Sequence, residues 1–446
     1  LIDFVSGTRL APKLLLIMHR HLRLFVLSSL STALSVYACG SPSKRGVDSD
    51  GEVPSIETAC AEFSEPAGWH RGESVSPAAE ASMDRVAAVG EATWPLALDL
   101  LKSVSVESHP NIAQSPTSLF AALGMAYSQW QNGQCGERIA TVLRFPETGD
   151  AIHPAIGAGL LHLAERARPA TDDSSAVALN LSSSRWAMGQ SSIPKITEIH
   201  RIYGATPHAV EDQGEASRQL INCVIEQQSS GLLKDFIPEG VIGAETVSLD
   251  INVTYLKAPW PRAFEEAEVY FTPEGGQRAR VPGLHSGALS ASYYEAPSFH
   301  ALHLPLRGGE LKVLLVVPRE TFTASLEEFV ASLPDNELRA ARDTTLMDTF
   351  DFRMPKIDIT AEPMNYTGRL GFDCDPFTLG DLIHGAGVVM DEGGLEAVAA
   401  TVAEEWGDGG FEPTTRPFAI ERPFLFFVFD TATRFVLFSG RVLDAG

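Results

Sequence analysis

The chain has 446 residues, with 34 Lys and Arg against 57 Asp and Glu, and a formal net charge of −23. Hydrophobic residues make up 44% and charged residues 20%, ordinary globular proportions that exclude collagen-like, coiled-coil and wholly disordered chains. So acidic a surface is a poor match for nucleic acid, whose phosphates are bound by Lys and Arg, and no local basic patch offsets it.

The first segment reads as an export signal. His19 to Arg23 is basic, Leu24 to Val36 is a short apolar run, and Val36-Tyr37-Ala38-Cys39-Gly40 follows. The run is too short for a stable membrane span. A small residue directly before Cys39 resembles a bacterial lipobox, with Val36 where Leu is usual. The resemblance implies cleavage before Cys39, its lipidation, and a secreted protein anchored at the periplasmic or outer face of a membrane. An ordinary signal peptide cut nearby is the alternative. Met18 reads as a start, which leaves residues 1–17 as an untranslated extension. Residues 1–39 are thus the signal and lipobox segment. Residues 40–80, rich in Gly, Ser, Pro and Glu, read as a flexible tether, and residues 81–446 as a single domain.

Cys60, Cys135, Cys223 and Cys374 form no CxxC pair, so a zinc ribbon or a thioredoxin-type motif is unsupported. In an oxidising compartment they allow three pairings, or none.

Residues 84–104 and 115–130 carry helical patterns. The second has Ser115 to cap it and Pro116 at the first helical position, where a missing N–H costs nothing. Residues 214–235 read as a helix ending at the break Ser229-Ser230-Gly231. From Thr246 strands take over: Thr246 to Leu256, Leu311 to Val317, and an alternating run from Phe350 to Ile359. Phe424 to Phe429 and Phe435 to Phe438 form a hairpin buried on both sides. Helices first and strands after, without repeats, predict an α+β domain with large antiparallel sheets.

No HExxH, GxSxG, P-loop or strand-linked GxGxxG is present, so the sequence supplies no enzyme constellation and calls for no cofactor. His300 and His303, three apart in a strand-like run, read as a surface or packing pair rather than metal ligands.

The C-terminal third is the informative part. Residues 391–403 are small and weakly strand-forming, and residues 404–417 are polar and rich in Gly and Pro. Roughly 25 residues between core strands is long for a plain connection. Here the chain resembles the serpin family, over about residues 90–446. The resemblance is carried in order by Asn111 to Pro116 with Ser118, by Ile221-Asn222 with Ser230-Gly231, and by Thr246 to Trp260. Met354-Pro355-Lys356-Ile357, Arg422 to Phe427 and Leu437 to Val442 complete it.

The resemblance implies a fold of several helices on large, mostly antiparallel sheets with an exposed reactive-centre loop. It implies a monomeric suicide inhibitor of serine endopeptidases, with cysteine endopeptidases as a second target class. The protease forms a covalent acyl complex with the loop, which then inserts into the main sheet. The hinge maps to Glu392, Gly394, Leu395, Glu396, Ala397, Val398, Ala399, Ala400 and Thr401. Strand alternation sets Leu395, Ala397, Ala399, Thr401 and Ala403 inward, all tolerant of burial, and both Glu396 and Glu404 outward. Leu395 departs from the Thr or Ser usual there. Counting sixteen residues on from Glu392 puts the reactive bond at Asp408–Gly409, while eleven back from Pro423 reaches Glu412. Both are acidic, which points to a Glu/Asp-selective or tolerant protease.

By the same resemblance Ser115, Ser118, Asn252 and His384 form a shutter beneath the main sheet, and Trp260 marks the breach where insertion begins. About a dozen residues usual between Gly371 and His384 are missing, which trims a helix and the start of a central strand. A non-inhibitory binding protein of the same fold is the alternative, if Leu395 or that trimming blocks insertion.

Overall fold

The computed structural model describes residues 69–70, 72–75, 78–170, 176–190, 192, 197–359, 362–366, 368–371, 382–395 and 415–446. The first elements are β1 (Trp69–His70), α1 (Met83–Lys102), β2 (Ile112–Gln114), α2 (Pro116–Trp130), α3 (Gln134–Val142) and α4 (Ile152–Ala164). β3 (Ala178–Met188), α5 (Glu198–Tyr203), β4 (Ala205–Val210) and α6 (Glu215–Gln228) follow. Strands then dominate: β5 (Ser248–Pro259), β6 (Glu265–Phe271), β7 (Ala279–Glu295), β8 (Phe299–Pro305) and β9 (Leu311–Pro318). After α7 (Leu326–Ser332) and α8 (Asp335–Asp343) come β10 (Met347–Pro355), β11 (Ile357–Ile359) and β12 (Met364–Asn365). The short β13 (Ile383–His384), β14 (Val388–Met390) and β15 (Gly394–Leu395) precede β16 (Arg416–Ala419), β17 (Phe424–Asp430) and β18 (Val436–Val442).

Local chemistry accounts for the helix ends. Ser115 accepts the Ser118 N–H on its Oγ at 3.2 Å and caps α2, with Pro116 at the first position. The helix expected over 214–235 stops at Gln228, because Ser230 and Gly231 take left-handed φ values of 52° and 86°. Ser229 holds the exit: its Oγ donates to the Ile225 carbonyl and accepts the Leu233 N–H. The tether expected over 40–80 ends sooner than the composition suggests. β1 pairs with β4 through Trp69–Val210, and the Ala78 N–H donates to the Arg201 carbonyl at 2.8 Å.

Two sheets carry the fold. A seven-stranded sheet has the order β1-β4-β3-β5-β15-β14-β11; a nine-stranded one runs β16-β10-β7-β8-β9-β17-β18-β2, with β6 on β7. The α+β expectation holds. Pairing is antiparallel except at β3–β4 and β10–β16. The run from Phe350 to Ile359, which reads as one strand, is two. Pro355 has no N–H to donate, Lys356 N–H turns to the Pro282 carbonyl at 3.0 Å, and the chain crosses from the nine-stranded to the seven-stranded sheet.

β17 and β18 are buried along their whole length, as the apolar runs predict. Arg441 sits inside this layer. It donates to the carbonyls of Leu101, Val104 and His109, and so ties β18 to the C-terminal end of α1, where carbonyls lack helical partners. His300 and His303 are not a pair. Residues three apart in a strand face opposite ways. His300 stacks on Tyr293, while His303 is buried against Phe429 and bonds the Ala341 carbonyl.

Candidate functional site: an unfilled strand position

β5 is the strand to follow. On one side it pairs with β3 from Ser248 to Lys257, and on the other only Ala258 and Pro259 are paired, to Leu395 and Gly394. Across from it β14 is bonded to β11 and meets β15 only at Met390–Leu395. Among the described residues, no strand pairs with this edge of β5 below Ala258. An unpaired stretch from Leu249 to Lys257 is about 30 Å of backbone donors and acceptors. A cavity of about 130 Å³ marks the gap, lined by Asn252, Tyr255, His384, Val389, Leu395 and residues of α2 beneath.

The upper end of this gap is clamped. The chain turns from β14 into β15 through Asp391, Glu392 and Gly393. The Asp391 carboxylate accepts the N–H groups of Gly393 at 2.9 Å and Gly394 at 3.2 Å. Burial holds this carboxyl above the usual range. Gly394 has no room for a side chain, since a Cβ there would stand 2.4 Å from the Ala258 carbonyl oxygen. Trp260, expected at this point, donates its backbone N–H to Gly393 at 3.0 Å and its indole N–H to the Asp391 carbonyl at 2.8 Å. Glu392 pairs with Lys356 at 2.8 Å, and Lys356 also reaches Glu266 at 2.6 Å. The Lys356 ammonium holds the Glu392 carboxyl below its ordinary value. Leu395 is buried at 3% exposure between β5 and β14. The departure from Thr or Ser at this position is accommodated by an apolar seat.

The middle of the gap is polar. Ser115, Ser118, Asn252 and His384 come together from α2, β5 and β13. The His384 Nε2 accepts the Ser115 N–H at 3.0 Å, and the Ser118 hydroxyl donates to the Asn252 carbonyl at 2.6 Å. His384 is therefore the neutral tautomer with its proton on Nδ1. Burial pushes its pKa down to about 4. Tyr366 packs edge-on to this ring and bonds Gln114, which also donates to the Leu100 carbonyl.

Several members of this arrangement are not read from the sequence. Ser183, on β3, accepts from the Asn252 amide at 2.9 Å and extends the cluster across two strands. Its partner lies 69 residues away, and only the β3–β5 register, Ser183 opposite Asn252, brings them together. Lys356 stands in a motif singled out in the sequence, yet its role against Glu392 needs the sheet crossing at Pro355. Cys135 and Cys223 are both disulfide-bonded. The expected hinge residues Glu396, Ala397, Val398, Ala399, Ala400, Thr401 and Ala403, the reactive bond Asp408–Gly409, its rival Glu412 and the lipidation site Cys39 lie outside the described residues. So does most of the trimmed segment between Gly371 and His384.

A family model described as "Serpin (serine protease inhibitor)" matches residues 91–445. The chain belongs to the serpin family. An uncharacterized serpin-like protein of Thermococcus kodakarensis is 26% identical over 372 residues, spanning 78% of this chain and 83% of that one. Plasminogen activator inhibitor 2 of Homo sapiens is 25% identical over 407 residues, spanning 77% and 96%. Among solved structures, the thermophilic serpin tengpin in its native state matches with a TM-score of 0.67 at 17% identity, covering 84% of this chain and 97% of its own. At that identity the likeness speaks for the fold, and the fold is a serpin's.

Proposed function

We propose that this serpin is a suicide-type inhibitor of serine endopeptidases, with cysteine endopeptidases as the second target class. The observation that carries the reading is the unpaired edge of β5 beside an already seated Leu395. Among the described residues no strand lies beside β5 below Ala258, so a cut loop has a position to enter and a first residue in place. The serine hydroxyl of the protease attacks the carbonyl of Asp408, the peptide bond to Gly409 breaks, and Gly409 leaves as an amine. The acyl ester on Asp408 then travels with the loop as residues after Leu395 pair with β5 on one side and β14 on the other. Each inserted residue exchanges solvent bonds for two ladders and buries alternate side chains.

The test is incubation with serine proteases of trypsin-like, subtilisin-like and Glu/Asp-selective type, followed by denaturing electrophoresis. Expected is a band that survives denaturation at the summed mass less the released C-terminal peptide, and that free peptide should begin at Gly409. Ala399→Arg puts a charge on the inward face midway along the entering strand, where burial costs several kcal/mol. That variant should be cleaved without trapping the protease. Cleavage of the unmodified protein by every protease with no trapped band would favour the non-inhibitory binding protein. A trapped band with Ala399→Arg would show that the assigned faces are wrong.

We further read the protein as held outside the cell by lipid on Cys39, since two or more acyl chains give stable anchoring. Cys39→Ser should shift the protein from the membrane fraction to the soluble one; an unchanged distribution rejects Cys39 as the anchor.

A further inference from the structure

A second cavity, of about 1060 Å³, lies beside β16, between the end of β9 and the segment leading into α7. Its volume suits a small organic ligand. One wall is a cluster of rings. Tyr293 packs on Phe350 at 5.3 Å, edge-on to Phe418 at 5.9 Å, and stacks on His300 at 5.8 Å between centroids. Phe350 and Phe418 are themselves edge-on at 5.7 Å, so the wall is continuous.

Four arginines gather here beside three glutamates, in a chain whose net charge is −23. Arg278, Arg319, Arg416 and Arg422 all border the cavity. Three of them are tied to close carboxylates: Arg278 to Glu421 at 2.7 Å, Arg319 to Glu295 at 2.9 Å and Arg416 to Asp348 at 3.0 Å. Arg416 also lies over the rings of Tyr293 and Phe350, 5.1 and 5.9 Å from their centroids. Arg422 differs. It donates to the Arg319 carbonyl at 3.1 Å, and its nearest acid, Glu320, is 3.7 Å away with a side chain 92% exposed. Of the other two acids at the cavity, Glu421 is held by Arg278, and Glu274 accepts the Leu326 N–H at 2.8 Å at the start of α7. A guanidinium has five N–H donors in a planar fork that fits a carboxylate. Arg422 keeps most of them for an anion, at the edge of an aromatic wall.

We propose that this cavity binds a small aromatic carboxylate. Its ring lies against Phe418 and the outer face of the Arg416 guanidinium that covers Tyr293 and Phe350, and its carboxylate pairs with Arg422. The site is separate from the unfilled strand position and does not depend on protease inhibition.

Isothermal titration of the full chain with naphthoate, and with naphthamide as its uncharged counterpart, tests this. Naphthoate should bind one saturable site with an affinity at least about tenfold above the amide, the size of effect a charge-assisted pair supplies. Arg422→Gln should remove that preference while leaving the amide unchanged. Arg422→Lys, which keeps the charge without the fork, should recover part of it. Arg280→Gln, at a residue that does not line the cavity, should change neither. Should Arg422→Gln fail to fold, Arg416→Gln serves instead: losing the cation over Tyr293 and Phe350 should weaken naphthoate binding severalfold. Equal affinity for acid and amide overturns the proposal, as does the absence of saturable binding. A tenfold preference that survives Arg422→Gln, or, in its place, unweakened binding by Arg416→Gln, does the same.

Discussion

In the nine-stranded sheet the order from β16 to β2 runs without a gap, and its hairpin of β17 and β18 is buried on every residue. In the seven-stranded sheet β5 is bonded along one side from Ser248 to Lys257 and along the other at two residues. The side chains follow the pairing. The complete sheet is built on Phe424, Phe426 and Phe427, each with no exposed surface. Beneath the gap, among apolar side chains, stands a cluster of Ser115, Ser118, Ser183, Asn252 and His384, which bond to one another across α2, β3, β5 and β13. A polar cluster is satisfied in the open arrangement and can re-form bonds when a strand arrives. Among the described residues, one sheet is paired throughout and the other leaves one side of β5 unpaired below Ala258.

The largest effect expected from this contrast is a gain. Nicking the chain between residues 404 and 412 should let the loop enter beside β5 and raise the melting temperature by more than about 10 °C. Equal melting temperatures for intact and nicked protein would mean that the gap stores nothing. Next comes a loss. Phe427→Ala should cost about 3–5 kcal/mol, the range for removing a large ring from a packed interior. Phe427 lies in the nine-stranded sheet rather than beside the gap, so thermal scans should show intact and nicked forms falling together, with their difference preserved. A mutation that narrows the difference would show that the two sheets are not independent.

The smallest effect is a pH dependence with one contribution from beneath the gap and one from the nine-stranded sheet. His384 beneath the gap and His303 beside Phe429 both have pKa values lowered to about 4 by burial, against about 6.5 for an exposed histidine. Between those values the unfolded chain binds protons that the folded chain refuses, so stability is full above about pH 6.5 and falls as pH drops toward 4. Chemical unfolding at pH 5 to 6.5, above most carboxylate titration, should show a slope approaching two protons or more. His303→Gln should remove about one proton of that slope. A flat profile would mean these rings are charged in the folded state.

The parts legible in the sequence are those that depend on nearby residues. The start of α2 follows from Ser115 and Pro116, and the terminal hairpin from two uninterrupted apolar runs around Asp430 to Thr433. What was misread depends on partners far along the chain. The run from Phe350 to Ile359 alternates like one strand. Its division at Pro355 appears only because Lys356 N–H finds the Pro282 carbonyl. His300 and His303 look like neighbours by spacing and are separated by the pleat. Ser183 carries no local mark and belongs to the gap's cluster through register alone.

The sequence by itself determined the order of helices and strands, the small-residue segment 391–403 and the acidic character of the chain, because periodicity, capping and composition act over a few residues. Only the tertiary structure decided that, among the described residues, β5 is unpaired on one side below Ala258 and that Lys356 clamps Glu392. It alone decided that Leu395 already occupies the first place in the gap. Those features are set by which strands lie side by side, and strand neighbours are chosen by the packing of the whole core rather than by any segment's own propensity.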